Sequence, residues 1–181
     1  MDPELLAKWP DVPACFEWLS LDRRGQWRLK GELVTHAGLI TFLNLNYAVD
    51  ERGRWFVQNG PQRVFVDLAS TPFIYRYRND LDDPFASHTG HPAGRIEEIF
   101  IDSEGNVLIS AELGFGQLDD RDLMSMLDAC RDERGQPVDE SAFAALMEGA
   151  SSPVFWGQLR LAPLATVDIE KQGNFVRCPR P

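Results

Sequence analysis

Asp22-Arg23-Arg24-Gly25-Gln26-Trp27-Arg28-Leu29-Lys30-Gly31-Glu32 reads as a tight turn feeding a β-strand. An aspartate that opens a turn can accept hydrogen bonds from backbone amides two residues on. A glycine in fourth place can take the positive φ that closes a type I turn with a bulge. Trp27 and Leu29 then alternate with Arg28 and Lys30, the two-residue period of a strand. Further along the same design returns as Asp102-Ser103-Glu104-Gly105-Asn106-Val107-Leu108-Ile109-Ser110-Ala111-Glu112. Aligned from Gly25 to Glu32 and from Gly105 to Glu112, the two runs predict one hairpin unit used twice.

Three more segments share the acidic start and the final glycine: Asp50-Glu51-Arg52-Gly53, Asp132-Glu133-Arg134-Gly135 and Glu170-Lys171-Gln172-Gly173. The turns at Asp22, Asp102 and Glu170 have strand-like runs on both sides and are predicted hairpins. Their acidity does not make them Ca²⁺ loops, because the alternating oxygen ligands and distal glutamate of an EF-hand are missing. Val64, Val66 and Leu68 alternate with Arg63, Phe65 and Asp67, and Tyr75 and Tyr77 alternate with Ile74, Arg76 and Arg78. That pattern predicts antiparallel sheet with one wet face. Helices are expected over residues 36–47 capped by Thr35, over 120–131 capped by Asp119 or Asp120, and over 140–148 capped by Asp139. The fold class is therefore α+β, with two small domains of similar antiparallel sheet plus helix and an internal duplication. The expected organisation is an irregular N-terminal arm over 1–14, an N-terminal domain over 15–78, a proline- and acid-rich linker over 79–94, and a C-terminal domain over 95–181.

Charge divides along the same lines. The chain of 181 residues carries a net charge of −10. Residues 1–78 hold 10 Lys+Arg against 9 Asp+Glu, residues 79–148 hold 4 against 17, and residues 149–181 hold 4 against 2. So acidic a middle repels phosphate backbones and anionic lipid, which argues against general nucleic-acid binding and against a membrane. No run approaches the ~18 apolar residues of a span. The start Met1-Asp2-Pro3-Glu4 lacks the basic and apolar regions of a signal peptide. Cys15, Cys130 and Cys178 are too few for a disulfide framework, and a reducing cytoplasm is the expected compartment.

The chemistry of the chain points to binding rather than turnover. No serine lies in a nucleophile elbow, and Cys130 falls on the apolar stripe of its helix. Gly114-Phe115-Gly116 precedes Asp119, Asp120 and Asp122, whose charges would repel a phosphate. Glu97 and Glu98, adjacent on a strand, point to opposite faces, and Asp119-Asp120 reads as a helix cap. No catalytic residue, metal ligand or cofactor is expected. The candidate ligand-binding residues are Arg28, Arg54, Trp55, Gln58, Asn59, Arg63, Tyr75, Arg76 and Tyr77. They combine forked cationic donors, stacking rings and amides able to read hydrogen-bonding edges.

The run Gly25–Glu32, a helix, then Asp50-x-x-Gly53-Arg54-Trp55-Phe56-Val57 and Asn59-Gly60-Pro61-Gln62-Arg63-Val64-Phe65-Val66 resembles uncharacterised proteobacterial families of unknown function. The resemblance covers about residues 16–78. It implies a duplicated α+β core whose C-terminal half is superficially like a pleckstrin-homology barrel, with a site for a nucleotide-like signalling molecule at the domain interface. The resulting expectation is a cytoplasmic, non-catalytic module that binds a small anionic ligand or a signalling partner between its halves. Two alternatives stand beside it. One is a metal-dependent hydrolase using His88 and His91, near Asp80, Asp82 and Asp83. The other is a structural or assembly protein that associates through an exposed Trp156 or its sheet edges.

Overall fold

The computed structural model describes residues 12–78, 83–150 and 153–181. The chain divides into two compact units, one made of Met1–Ser70 with Asn174–Pro181 and the other of Thr71–Gly173. The expected arm over 1–14 lies largely outside the described residues, and its last residue, Ala14, already begins a strand.

The first unit runs β1 (Ala14–Leu21), β2 (Trp27–Leu29), β3 (Glu32–Leu33), α1 (Ala37–Leu45), β4 (Tyr47–Val49), β5 (Trp55–Asn59) and β6 (Gln62–Leu68). Its six-stranded sheet has the order β3-β2-β1-β6-β5-β4. Neighbours are antiparallel except β1 and β6, which run parallel at the centre. Leu39 and Leu43 of α1 are buried, as are Val57, Val64 and Val66 of the sheet. Trp27 is buried too, and its indole N–H donates to Asn44 Oδ1 of α1 at 2.7 Å. The helix starts one residue later than expected. His36, not Thr35, is the N-cap, with Nδ1 accepting from the Leu39 N–H. Tyr47 is a strand residue rather than part of the helical face.

The second unit runs β7 (Phe73–Tyr77), β8 (Phe85–Ser87), β9 (Ile96–Ile101), β10 (Val107–Ala111), β11 (Gly114–Leu118), α2 (Leu123–Asp128), α3 (Glu140–Met147), β12 (Phe155–Trp156), β13 (Leu159–Pro163) and α4 (Ile169–Gln172). Its seven-stranded sheet has the order β12-β13-β9-β10-β11-β7-β8, with parallel pairs at β13–β9 and β11–β7. The helix expected over 120–131 is shorter. Asp120–Asp122 forms a 3₁₀ turn, capped by Asp119, before α2. Asp139 caps α3 by accepting from the Ala142 N–H.

The two sheets repeat one plan. In each, three antiparallel strands lead into helix, and a later strand returns to lie parallel against the first: β6 against β1, β13 against β9. The second unit adds β7 and β8 to the far edge of its meander.

Four of the acidic turns are superimposable in their hydrogen bonds. Asp22, Asp50, Asp102 and Asp132 each accept, through Oδ1, from the amides two and four residues on, at 2.8–3.0 Å. Each backbone carbonyl also accepts from the glycine N–H at 3.0 Å. All four glycines have positive φ. The fifth segment is not a hairpin. Glu170-Lys171-Gln172 is in α4, and Gly173 has φ −85°. Glutamate carries one methylene more than aspartate, so it does not close the same short ring onto its own backbone.

Other expectations shift with the sheets. Phe73–Tyr77 belongs to the second unit, not to the domain expected over 15–78. The stretch expected as a linker over 79–94 contains β8, which turns back so that the Ser87 N–H donates to the His91 carbonyl and the Ala93 N–H to the Phe85 carbonyl. Phe85 and Ala93 are fully buried, which anchors residues 83–94 to the sheet. The central strands are also not half wet, for Val64, Phe65 and Val66 are all buried, as are Ile74 and Tyr75. No helix among the described residues is long and apolar enough to cross a membrane.

Candidate functional site

On β5 and β6, Phe56 and Phe65 are cross-strand partners with ring centroids 5.8 Å apart. Strand alternation puts Arg54, Phe56 and Gln58 of β5's neighbourhood on one face, with Arg63 and Phe65 opposite them. Each ring carries a cation. The Arg63 guanidinium lies 4.8 Å above the Phe56 ring and the Arg54 guanidinium 4.6 Å above the Phe65 ring. Phe16 stacks on Phe65 at 4.5 Å with the ring planes nearly parallel. It comes from a bulge in β1, where Glu17 has φ 61° and the register with β6 shifts.

Beside these rings is an open groove of about 520 Å³, lined by Val49, Asp50, Glu51, Arg52, Arg54, Phe56 and Arg63. Its three arginines differ in state. Arg54 is clamped by Asp50, with Nε and Nη2 each 2.8 Å from Oδ2. Burial raises the Asp50 carboxyl, but the backbone and side-chain hydrogen bonds of Arg54 outweigh it and hold the group below the usual carboxylate range. Arg63 and Arg52 form no ion pair with any described residue. The groove thus sets three cations against two carboxylates, and one of those carboxylates is already paired.

The nine residues singled out from sequence divide. Arg54 and Arg63 meet in this groove, and Arg52 and Phe56 were missed. Arg52 lies inside a turn recognised only for its aspartate and glycine, and Phe56 reads in sequence as a core strand residue. Gln58 is on the same face, but its amide donates to the Gly60 and Gln62 carbonyls and closes the β5–β6 turn. Trp55 and Asn59 alternate to the opposite face, where Trp55 packs at 4.6 Å against Tyr47. Arg28 pairs with Asp22 at 3.1 Å in the first hairpin.

Tyr75, Arg76 and Tyr77 are in the second unit. Tyr75 is wholly buried, its hydroxyl donates to the Gly114 carbonyl at 2.8 Å, and burial pushes its phenol well up. Tyr77 packs with Phe85 and Trp156. Arg76 is held by Asp122 through two guanidinium nitrogens. Trp156 is half-buried against Phe85 at 5.2 Å rather than an exposed handle.

His88 and His91 part company as well. His88 is half-buried beside Phe73, with its Nε2 shut off from solvent; it accepts from the Ile74 N–H through Nδ1, and desolvation of the ring lowers its pKa to about 3. His91 is exposed. Among the described residues no three His, Cys, Asp or Glu side chains come together to hold a metal. Asp80 and Asp82 lie outside the described residues. Asp119 is fully buried. Burial raises its carboxyl, but Arg121, whose Nε is 2.8 Å away, and the Arg121 amide bring it to about 2. It is a charged cap paired with Arg121. The Cys130 thiol is buried, and burial pushes it to about 12, which disfavours the thiolate.

Comparison with known proteins adds the fold and the family. No curated protein is similar enough in sequence to stand as a relative. A solved structure of a DUF1285 family protein from Silicibacter pomeroyi DSS-3 is similar with a TM-score of 0.51 at 15% identity, over 69% of this chain and 75% of that one. A DUF1285 family protein from Shewanella baltica OS155 matches with a TM-score of 0.46 at 12% identity, over 60% of this chain and 88% of that one. The first likeness is one of fold. Over residues 2–180 the sequence fits the model of the family DUF2944, described as "Protein of unknown function (DUF2946)", and the chain belongs to that family.

Proposed function

We propose that this protein is a non-catalytic binding module whose first unit takes a small anion in the groove of Arg52, Arg54 and Arg63. The observation that carries the reading is Arg63. Its guanidinium lies over Phe56 with no carboxylate partner among the described residues, while Arg54 beside it is fixed by Asp50. A guanidinium seated on a ring keeps its N–H edge free for the forked contacts that phosphate and carboxylate accept. Arg52, on the turn above, supplies a second donor set. The Asp50 clamp gives the site a rigid wall and lowers the ordering cost of binding. The reading assigns the ligand to the first unit, which holds Arg52, Arg54 and Arg63, while Tyr75, Arg76 and Tyr77 belong to the second and engage partners there.

A thermal-shift series with inorganic pyrophosphate and nucleoside triphosphates tests the reading. An anion at 100 times its dissociation constant adds roughly 2.7 kcal/mol to stability, a visible shift in melting. Stabilisation should fall as salt rises, because the groove is open and its charges are screened. Shifts of equal size with Arg63→Ala would remove the assigned site.

A further inference from the structure

The second unit carries an apolar groove that plays no part in the anion site. Met124 of α2, Val138 of the connecting loop and Phe143 and Met147 of α3 line a cleft of about 530 Å³. Met124 is 67% exposed. Met147 also borders a second cleft of about 540 Å³, where Pro163, Leu164 and Val167 continue the apolar surface, and Val167 is 89% exposed. Two apolar clefts thus meet at one methionine. Large side chains left in water at such a junction mark a surface that is covered in use.

The charge around it says by what. Residues 119–148 hold nine Asp and Glu against three Arg. Asp128 and Glu140 line the first cleft and Glu148 the second, and none of these three carboxylates forms an ion pair with a described residue. Three arginines offset only three of the nine carboxylates, and Arg121 is already paired with Asp119, so the stretch stays strongly acidic. An anionic lipid surface would be repelled here. A second copy would bring the same acidic face to a two-fold contact, where like charges oppose it.

We infer that the groove at Met124, Phe143 and Met147 docks a basic amphipathic helix of another protein. Its apolar stripe lies on the methionines and Phe143, and its Lys and Arg side chains reach Asp128, Glu140 and Glu148. Thioethers adapt to differently shaped apolar side chains, as a groove for a helix face requires.

The test is fluorescence anisotropy of the full chain with a labelled model helix of about 18 residues, leucine on one face and lysine on the other. The same helix with glutamate in place of lysine is the control probe. Saturable binding of the lysine helix alone is expected. Asp128→Lys with Glu140→Lys should weaken it by roughly tenfold or more, and Met124→Glu should weaken it similarly. All three residues are exposed, so melting curves should stay near the parent's, and Glu32→Lys on the first unit should leave binding unchanged. Equal binding of both helices, or equal weakening by Glu32→Lys, overturns the proposal. So does a concentration-dependent dimer in sedimentation that Met124→Glu abolishes, since a second copy would then be the occupant.

Discussion

The guanidinium of Arg63 lies 4.8 Å above the ring of Phe56, and Arg63 has no carboxylate partner among the described residues. Its neighbour Arg54 repeats the geometry over Phe65 but is closed off by Asp50. One of the two cations is thus fixed in the wall, and the other forms no ion pair with a described residue. Phe56 and Phe65 are buried under them, so the arginine stems also shield apolar surface. Arg63→Ala should therefore cost some stability as well as binding, on the order of 1 kcal/mol, read by urea denaturation. A loss of several kcal/mol would make the residue chiefly structural.

Gly116 is required by packing. A Cβ there would run into the Tyr75 ring and lie 2.7 Å from the Phe73 carbonyl oxygen. The ring of Tyr75 is wholly buried and has nowhere to retreat. Gly116→Ala should destabilise the protein by about 3 kcal/mol, the upper end of overpacking costs. Denaturation showing under about 1 kcal/mol would mean that β7 and β11 are farther apart than described.

The four aspartate turns allow an internal comparison. Asp102 is almost fully buried and accepts from the Glu104 and Asn106 amides and from Asn106 Nδ2 at 2.8 Å. Asp132 makes the same two backbone bonds but is only half-buried. Truncation to alanine strands the amides in both, but the bonds at Asp132 are exposed to water and those at Asp102 are partly buried. Asp102→Ala should cost about 3 kcal/mol and Asp132→Ala about 1 kcal/mol. A reversed order in equilibrium denaturation would contradict the burial described.

How much was legible in the sequence follows from range. The Asp turns are local devices, since side chain, amides and glycine lie within five consecutive residues, and they were readable at once. The parallel pairing of β1 with β6 was not, because it depends on where a strand returns after α1 and two further strands. The fate of the arginines shows the same limit. Arg54 takes its partner from its own turn, whereas Arg76 is bound by Asp122, 46 residues away. Tyr75 and Tyr77 looked like stacking surfaces because alternation cannot reveal a strand buried on both faces.

His88 should make stability pH-dependent. Its pKa is lowered by burial from 6.5 to about 3, so the unfolded chain binds a proton that the folded one refuses. The contribution is fully present above about pH 6.5 and is lost progressively as pH falls from there toward 3. His88→Asn, which keeps an acceptor for the Ile74 amide, should flatten the decline between about pH 7 and 5, where ordinary carboxylates remain ionised. Identical slopes for parent and variant in that window would place His88 in water.

Calorimetric titration of inorganic pyrophosphate into the parent protein, Arg63→Ala and Arg63→Lys tests the anion groove most directly. The account predicts saturable one-site binding to the parent, loss of roughly tenfold or more in affinity with Arg63→Ala, and partial recovery with Arg63→Lys, which restores the charge but not the fork. Equal affinity in all three proteins would contradict it.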